Sequence, residues 1–224
     1  MAAKTATVGA STYDRIKRDI IFGRLAPGAK LKLDQLKTRY EASVPTLREM
    51  LNRLASEGFV AAAEQRGFFV TPVSEDDLIE IANLRILLET SALKTSIENG
   101  DADWEGELVA AHHKLHLMER RVLEGDTEIE TWKRYDWEFH QALIKACNSR
   151  NLLTLHAIIF DKYLRYQMLV MTNRGEEAVA EHKAMFEAAL ARDIDGAQNA
   201  LEQHIRLGLD HALGALKESP AALS

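Results

Sequence analysis

The feature that most constrains this chain is a short helical pattern followed directly by a hairpin pattern. In "SVPTLREMLNRLASEGF", residues 43–59, apolar residues recur three and four positions apart, between a serine and a glycine. This predicts an amphipathic helix with a side-chain cap at its start and a glycine stop at its end. The following "VAAAEQRGFFVTPV" predicts two strands around a tight turn.

Two further helical patterns precede this unit. "STYDRIKRDIIFGRL" places Tyr13, Ile16, Ile20 and Ile21 on one helical face, with Ser11 as a candidate N-cap. "APGAKL" interrupts it with a proline and a glycine, and "LDQLKTRYEA" predicts a short second helix. The order of helix, helix, turn, helix and two-stranded wing is that of a winged helix-turn-helix, in which the start of the last helix can enter a major groove.

The charge of this segment differs from that of the remainder. Residues 1–73 carry 12 Lys and Arg against 7 Asp and Glu, although the whole chain has a net charge of −6. A basic head on an acidic body indicates that the head meets a polyanion. The candidate DNA contacts are Ser43, Thr46, Arg48, Lys37, Arg66 and Gly67. Each has an ordinary alternative, because hydroxyls also cap helices, arginines form surface ion pairs and Arg-Gly suits a plain hairpin turn.

The rest of the chain reads as helices only. From Ser74 to about Lys217 there is no strand pattern, and Gly-Asp, Asn-Gly-Asp and Arg-Asp boundaries separate six helical segments. We therefore predict a mainly α protein, with a winged helix-turn-helix in residues 1–73 and an all-helical bundle of about six helices in residues 74–224. No stretch approaches the ~20 apolar residues of a membrane span. The single cysteine, Cys147, excludes an internal disulfide and favours a cytoplasmic location.

Polar residues interrupt the apolar faces of three of these helices. Asp136 and His140 lie one turn apart on the apolar side of the third helix, and His182 and His204 lie in the apolar lines of the fifth and sixth. A buried carboxylate is costly unless it is paired or coordinated. One Asp and three His around a divalent cation would satisfy all four groups. The alternatives are single packing histidines and a plain Asp–His pair. The remaining histidines, predicted to be surface or packing residues, are His112, His113, His116, His156 and His211.

Two arginines are candidates for binding an anion. Arg85 shares a helical face with Leu78, Ile81 and Leu88, so it points inward. An inward arginine needs an anion, which could be the carboxylate of a ligand or that of a buried glutamate. Arg165, in "KYLRYQ", is the second candidate.

The segments "YDRIKRDIIFGRLAPGAKL", "LREMLNRLASEGFV" and "GFFVTPVSEDDLIEIANLRILLE" closely resemble the GntR family of bacterial transcription regulators. The rest of the chain resembles the FadR branch of that family. The resemblance implies a winged-helix domain followed by a helical, metal-binding ligand domain of the FCD type. It also implies that Asp136, His140, His182 and His204 are the metal ligands. Val44 stands where the family usually has an arginine, so the family's operator sequence is not carried over.

These observations lead to one expectation with two alternatives. We expect a cytoplasmic bacterial repressor that binds a palindromic double-stranded DNA operator as a homodimer, without a membrane partner. A small carboxylate, either a dicarboxylate or an oxo acid, would control it from a site beside a divalent transition metal, with zinc favoured over nickel, manganese or iron. The alternatives are a metal-dependent enzyme acting on a small organic acid and a regulator that senses the metal itself. The enzyme would need a general base or nucleophile, and no separate one is evident in the sequence.

Overall fold

The structure is a computed structural model that describes residues 8–125, 127–170 and 174–218. Within these residues it contains nine α-helices and three short strands, which confirms the mainly α expectation. Among the described residues, no helix is long and apolar enough to cross a membrane. The elements are α1 (Val8–Ile21), β1 (Lys30–Leu31), α2 (Leu33–Tyr40), α3 (Val44–Ser56), β2 (Val60–Ala63), β3 (Gly67–Val70), α4 (Glu75–Asn99), α5 (Ala102–Leu123), α6 (Ile129–Ile144), a 3-10 turn (Lys145–Cys147), α7 (Arg150–Leu169), α8 (Glu176–Leu190) and α9 (Ile194–Glu218).

The chain divides into two compact units. The first comprises Met1–Leu78, Asp161–Met171 and Ala212–Ser224, and the second comprises Ile79–Phe160 and Thr172–His211. Three long helices, α4, α7 and α9, contribute residues to both units. The domain boundary that the sequence suggests between residues 73 and 74 stays a prediction.

The helices of the first unit pack as their apolar spacing predicts. Ile16 and Ile20 of α1 and Leu47, Leu51 and Leu54 of α3 are completely buried. The expected N-cap at Ser11 is wrong, because α1 already begins at Val8 and Ser11 therefore lies inside the helix. Serine is only mildly unfavourable in a helix, so it does not prevent the helix from starting one turn earlier.

The wing is larger than the sequence suggests. The expected hairpin is present, since β2 and β3 pair antiparallel. At its turn the Arg66 N–H donates to the Ala63 carbonyl over 3.0 Å, and Gly67 takes a φ of +93°, which glycine adopts without strain. However, β1 pairs with the other side of β3, so the sheet has three strands in the order β1-β3-β2 instead of two. A two-residue strand is too short to produce a recognisable alternation.

The six helices expected in the remainder of the chain are confirmed. α5 packs against both α6 and α8 in the second unit. Their contact faces bury Leu108, Leu115, Phe139 and Met185 completely. Asp101 caps α5, because its carboxylate accepts the N–H of Trp104 over 2.9 Å. Cys147 is buried, as expected for a small apolar side chain.

Candidate functional site

The start of α3 is fixed by its own hydroxyl groups. Ser43 is the N-cap residue, and its Oγ accepts the backbone N–H of Thr46 over 3.3 Å. The hydroxyl oxygens of Ser43 and Thr46 also lie 2.8 Å apart, at hydrogen-bond distance. Ser43 is exposed and Thr46 is half-buried, so both hydroxyls remain at the surface while they cap the helix. Capping and DNA contact are compatible here, because a helix N-terminus attracts phosphate.

The basic residues predicted to contact DNA have exposed side chains without ion-pair partners among the described residues. Arg48 lies near the start of α3, Lys37 lies on α2, and Arg66 precedes Gly67 at the turn of the wing. Among the described residues, no side-chain hydrogen bond or ion pair involves Arg48, Lys37 or Arg66. The structure therefore leaves these three charges available to a polyanion.

Other cations of the winged helix hold the fold together instead. Arg39 donates to Asp19 over 2.6 Å, and Arg53 lies 3.9 Å from the centre of the Tyr13 ring. Lys17 pairs with Asp161 at 2.7 Å. Because these side chains have partners within the unit, they are less suited to DNA contact than Arg48, Lys37 and Arg66.

The second unit contains a buried cluster of three histidines. His140 of α6, His182 of α8 and His204 of α9 each offer one ring nitrogen, and these nitrogens lie within 4.8 Å of one another. The exposed fractions of the three residues are only 0%, 2% and 7%. Asp136 is also buried, and its Oδ1 lies 3.3 Å from His182 Nε2 and 3.9 Å from His140 Nε2. The four residues that the sequence singles out are therefore brought together, and they could hold one metal ion.

Each histidine also contacts a glutamate that sequence reasoning missed. In every case the Nδ1 atom faces the glutamate. The Nε2 atoms of His140 and His182 face Asp136, and that of His140 also lies 3.3 Å from Arg85 Nη2. The Nε2 of His182 is buried and makes no well-aligned hydrogen bond among the described residues, although Asp136 Oδ1 lies 3.3 Å from it. Such a group is costly unless a ligand satisfies it, and a metal would do so. The three pairs are Glu89–His140 at 2.8 Å, Glu119–His182 at 2.6 Å and Glu181–His204 at 2.8 Å.

Three cations surround the cluster. Arg85 forms a buried ion pair with Glu89, and its Nη2 lies 3.2 Å from His140 Nδ1. Lys133, which the sequence did not single out, places its Nζ 3.6 Å from Asp136 Oδ2 and is itself buried. The third cation, Arg174, donates to both oxygens of Glu181, over 2.7 and 2.6 Å. The internal glutamate partner considered for Arg85 is therefore present.

The surroundings of Asp136, His182 and His204 shift the pKa values of these candidate metal ligands. Burial alone raises the pKa of Asp136, but the charge of Lys133 and the contact with His182 outweigh it and hold this pKa well below its usual range. Burial and the neighbouring His182 and His140 lower the pKa of His204, so it is neutral at pH 7. Burial also lowers the pKa of His182, but Asp136 and Glu119 outweigh burial and raise it to about 9. His182 therefore carries a proton that a bound cation would displace.

Arg165 has a different environment. It belongs to the first unit, where its Nη2 donates to the Thr71 carbonyl. Burial lowers the pKa of its guanidinium. A role for Arg165 in binding an effector stays a prediction.

A three-stranded winged helix is suited to DNA binding, and the buried histidine cluster lies in a separate helical unit. The chain belongs to the gntR family of bacterial regulatory proteins, whose profile matches residues 9–70, and it carries an FCD domain over residues 80–207. This confirms the family resemblance. The protein is thus a transcriptional regulator and not an enzyme.

Individual relatives agree with this assignment. The HTH-type transcriptional regulator BphR of Paraburkholderia xenovorans is 40% identical over 198 residues, which cover 87% of this chain and 81% of BphR. The HTH-type transcriptional repressor GlaR of Escherichia coli is 30% identical over 199 residues, which cover 86% of this chain and 90% of GlaR. The solved structure of E. coli McbR/YncC has a TM-score of 0.80 at 21% identity, covering 94% of this chain and 99% of that one, and supports the fold alone.

Proposed function

We propose that this regulator is a cytoplasmic repressor whose operator binding is controlled by a small carboxylate bound beside a metal in the FCD domain. The observation that carries the proposal is the convergence of three buried histidine nitrogens within 4.8 Å. A repressor name among the relatives supports the direction of regulation.

The DNA-binding part of the proposal assigns roles by position. Arg48 contacts a base edge or phosphate from the start of α3, with Ser43 and Thr46 beside it. Lys37 and Arg66-Gly67 contact the backbone or the minor groove. A single winged helix buries little surface, so two copies related by a two-fold axis would bind a palindromic operator.

The metal part of the proposal assigns the ligands. Asp136, His140, His182 and His204 hold one divalent transition metal, for which FCD domains often provide a site. Nitrogen-rich donors with one carboxylate favour zinc, with nickel, manganese or iron as alternatives set by availability. The bound ion supplies a Lewis-acidic anchor for an oxygen of the effector. The buried Nε2 of His182, which faces Asp136 at 3.3 Å without a well-aligned hydrogen bond, supports this assignment over a purely structural cluster.

The charge balance around the cluster supports an anionic effector. The cations described above are Arg85, Lys133 and Arg174, and the carboxylates are those of Asp136 and the three glutamates. With neutral histidines these groups leave one net negative charge, so a divalent metal leaves one net positive charge. A carboxylate would neutralise that charge, and we propose Arg85, which lies beside His140 and already pairs with Glu89, as its partner. A dicarboxylate or oxo acid remains the favoured effector class.

The effector would change either the distance between the two winged helices of the dimer or their freedom to move. A ligand shifts such an equilibrium only if it binds the two states with different affinity. The carboxylate must therefore bind the metal-loaded repressor more tightly when the repressor is free than when it is on the operator.

The experiment is an operator-binding titration in which metal and acids are added separately. Acids are first ranked by the increase that they cause in the thermal midpoint of zinc-loaded protein, with His182→Ala as the matched control. We expect the best acid to weaken operator binding only when metal is present, and His182→Ala to show no response. A response to metal alone would instead make the metal the signal. If neither metal nor acid changes operator binding, the proposal is overturned.

A further inference from the structure

We infer that Glu119, Glu181 and Glu89 are positioning residues that hold the three histidines in the tautomer and orientation needed to bind a metal. This inference rests on the metal site proposed above and extends it to a second layer of side chains. The glutamates lie on α5, α8 and α4, whereas the histidines lie on α6, α8 and α9. The site would therefore depend on five helices rather than three.

The main support for the inference is that the same contact, between a glutamate oxygen and a histidine Nδ1, occurs three times. Each glutamate oxygen lies 2.6–2.8 Å from the Nδ1 of its histidine, and none of them lies on the same helix as that histidine. A neutral imidazole has one N–H and one lone pair. A carboxylate at Nδ1 takes the N–H, which leaves the lone pair on Nε2 and makes that nitrogen a stronger donor to a metal. In His140 and His182 it is Nε2 that faces Asp136.

The competing interpretation is that these pairs only stabilise the fold. Glu89 and Glu181 are consistent with both, because Glu89 also pairs with Arg85 and Glu181 with Arg174. Glu119 separates the two interpretations, since its Oε1 faces His182 and its buried Oε2 has no hydrogen-bond partner among the described residues. A buried carboxylate oxygen without a hydrogen-bond partner lowers the stability of the fold. A purely structural role therefore does not account for Glu119, whereas orienting a metal-binding histidine does.

The test uses full-length protein with Glu119→Gln and Glu119→Ala. The control is Glu187→Gln, because Glu187 lies on α8 but is 63% exposed and pairs only with Lys183 among the described contacts. Zinc affinity is measured by competition with a chelator, and the coordination geometry is followed by the visible spectrum of the cobalt-loaded protein. The thermal midpoint in excess chelator reports on the fold without metal.

We expect zinc affinity to fall roughly 10-fold for Glu119→Gln and up to roughly 100-fold for Glu119→Ala, with an altered cobalt spectrum. Glu187→Gln should bind like the wild type, and the midpoint in chelator should not fall in Glu119→Gln. Glu181→Gln provides a second variant at a less buried position, and it too should bind zinc more weakly.

The outcomes distinguish this inference from the metal site itself. If the wild type and both Glu119 variants bind zinc equally, with identical cobalt spectra, the positioning role is overturned while the metal site stands. If the midpoint in chelator falls while zinc affinity is unchanged, Glu119 is a structural partner and the inference also fails. If the wild type binds neither zinc nor cobalt, the proposed metal site and this inference fail together.

Discussion

Replacing Arg48 by alanine should weaken operator binding while leaving the fold unchanged. Arg48 is exposed, and no ion pair or side-chain hydrogen bond links it to another described residue. Arginine and alanine are both good helix formers, so the substitution should change the free energy of unfolding by no more than about 0.5 kcal/mol. Any larger loss in DNA affinity would therefore report a contact with DNA.

The expected size of this loss follows from the position of Arg48 near the start of α3. An arginine that contacts a base edge contributes about 1–3 kcal/mol, which is about 5- to 160-fold in Kd. In a two-fold dimer the contact is lost twice, so the total approaches about 2–6 kcal/mol. Loss of a phosphate contact alone would weaken binding to operator and non-specific DNA equally. Loss of a base contact would weaken binding to the operator more than binding to non-specific DNA.

The assay is fluorescence anisotropy with the promoter next to the gene and with a scrambled duplex, at several salt concentrations. The matched control is Arg206→Ala, since Arg206 is an exposed arginine of α9 that pairs with Glu202. Arg206→Ala should bind as the wild type does. Equal affinities of the wild type and Arg48→Ala for the operator would remove Arg48 from the interface and refute the contact assigned to it.

Three further predictions follow from the same structure. Lys37→Ala and Arg66→Ala should each reduce the slope of log K against log salt by about 1 in magnitude, because each removes a phosphate contact; an unchanged slope would contradict this. Zinc affinity should fall as pH falls below about 9, because His182, whose pKa is raised to about 9, must release its proton to bind metal; an affinity independent of pH in chelator competition would contradict this. Light scattering should show a homodimer, and a monomer both free and on DNA would exclude two-fold operator binding.

The parts of the structure that could be predicted from sequence are those set by local periodicity. Apolar spacing located the helices, and it showed that His182 and His204 interrupt apolar faces. Because the side chain at such a position must point into the core, the sequence was enough to indicate that these residues are buried. The cluster geometry agrees with that prediction, as His140, His182 and His204 meet within 4.8 Å.

The remaining features depend on contacts between distant segments. Glu119 is 63 residues from His182, and nothing in the local pattern of α5 distinguishes a glutamate that orients a histidine from an ordinary charged residue. Strand β1 is recognisable only from its pairing with β3. For Arg85, the sequence left two possible anions open, and the structure shows that Glu89 is one partner. Tertiary packing determines all three features, so they could not be predicted from the local sequence.

The central claim is that Asp136, His140, His182 and His204 hold a metal through which the effector acts. The most direct measurement is elemental analysis of full-length protein purified without chelator, compared with His182→Ala. We predict about one transition-metal ion per chain in the wild type, little or none in His182→Ala, and similar helical content in both, because truncating one ligand leaves the helices in place. If the wild type contains no transition metal and cannot be loaded with zinc, nickel, manganese or iron, the four residues form only a buried polar cluster and the claim is contradicted.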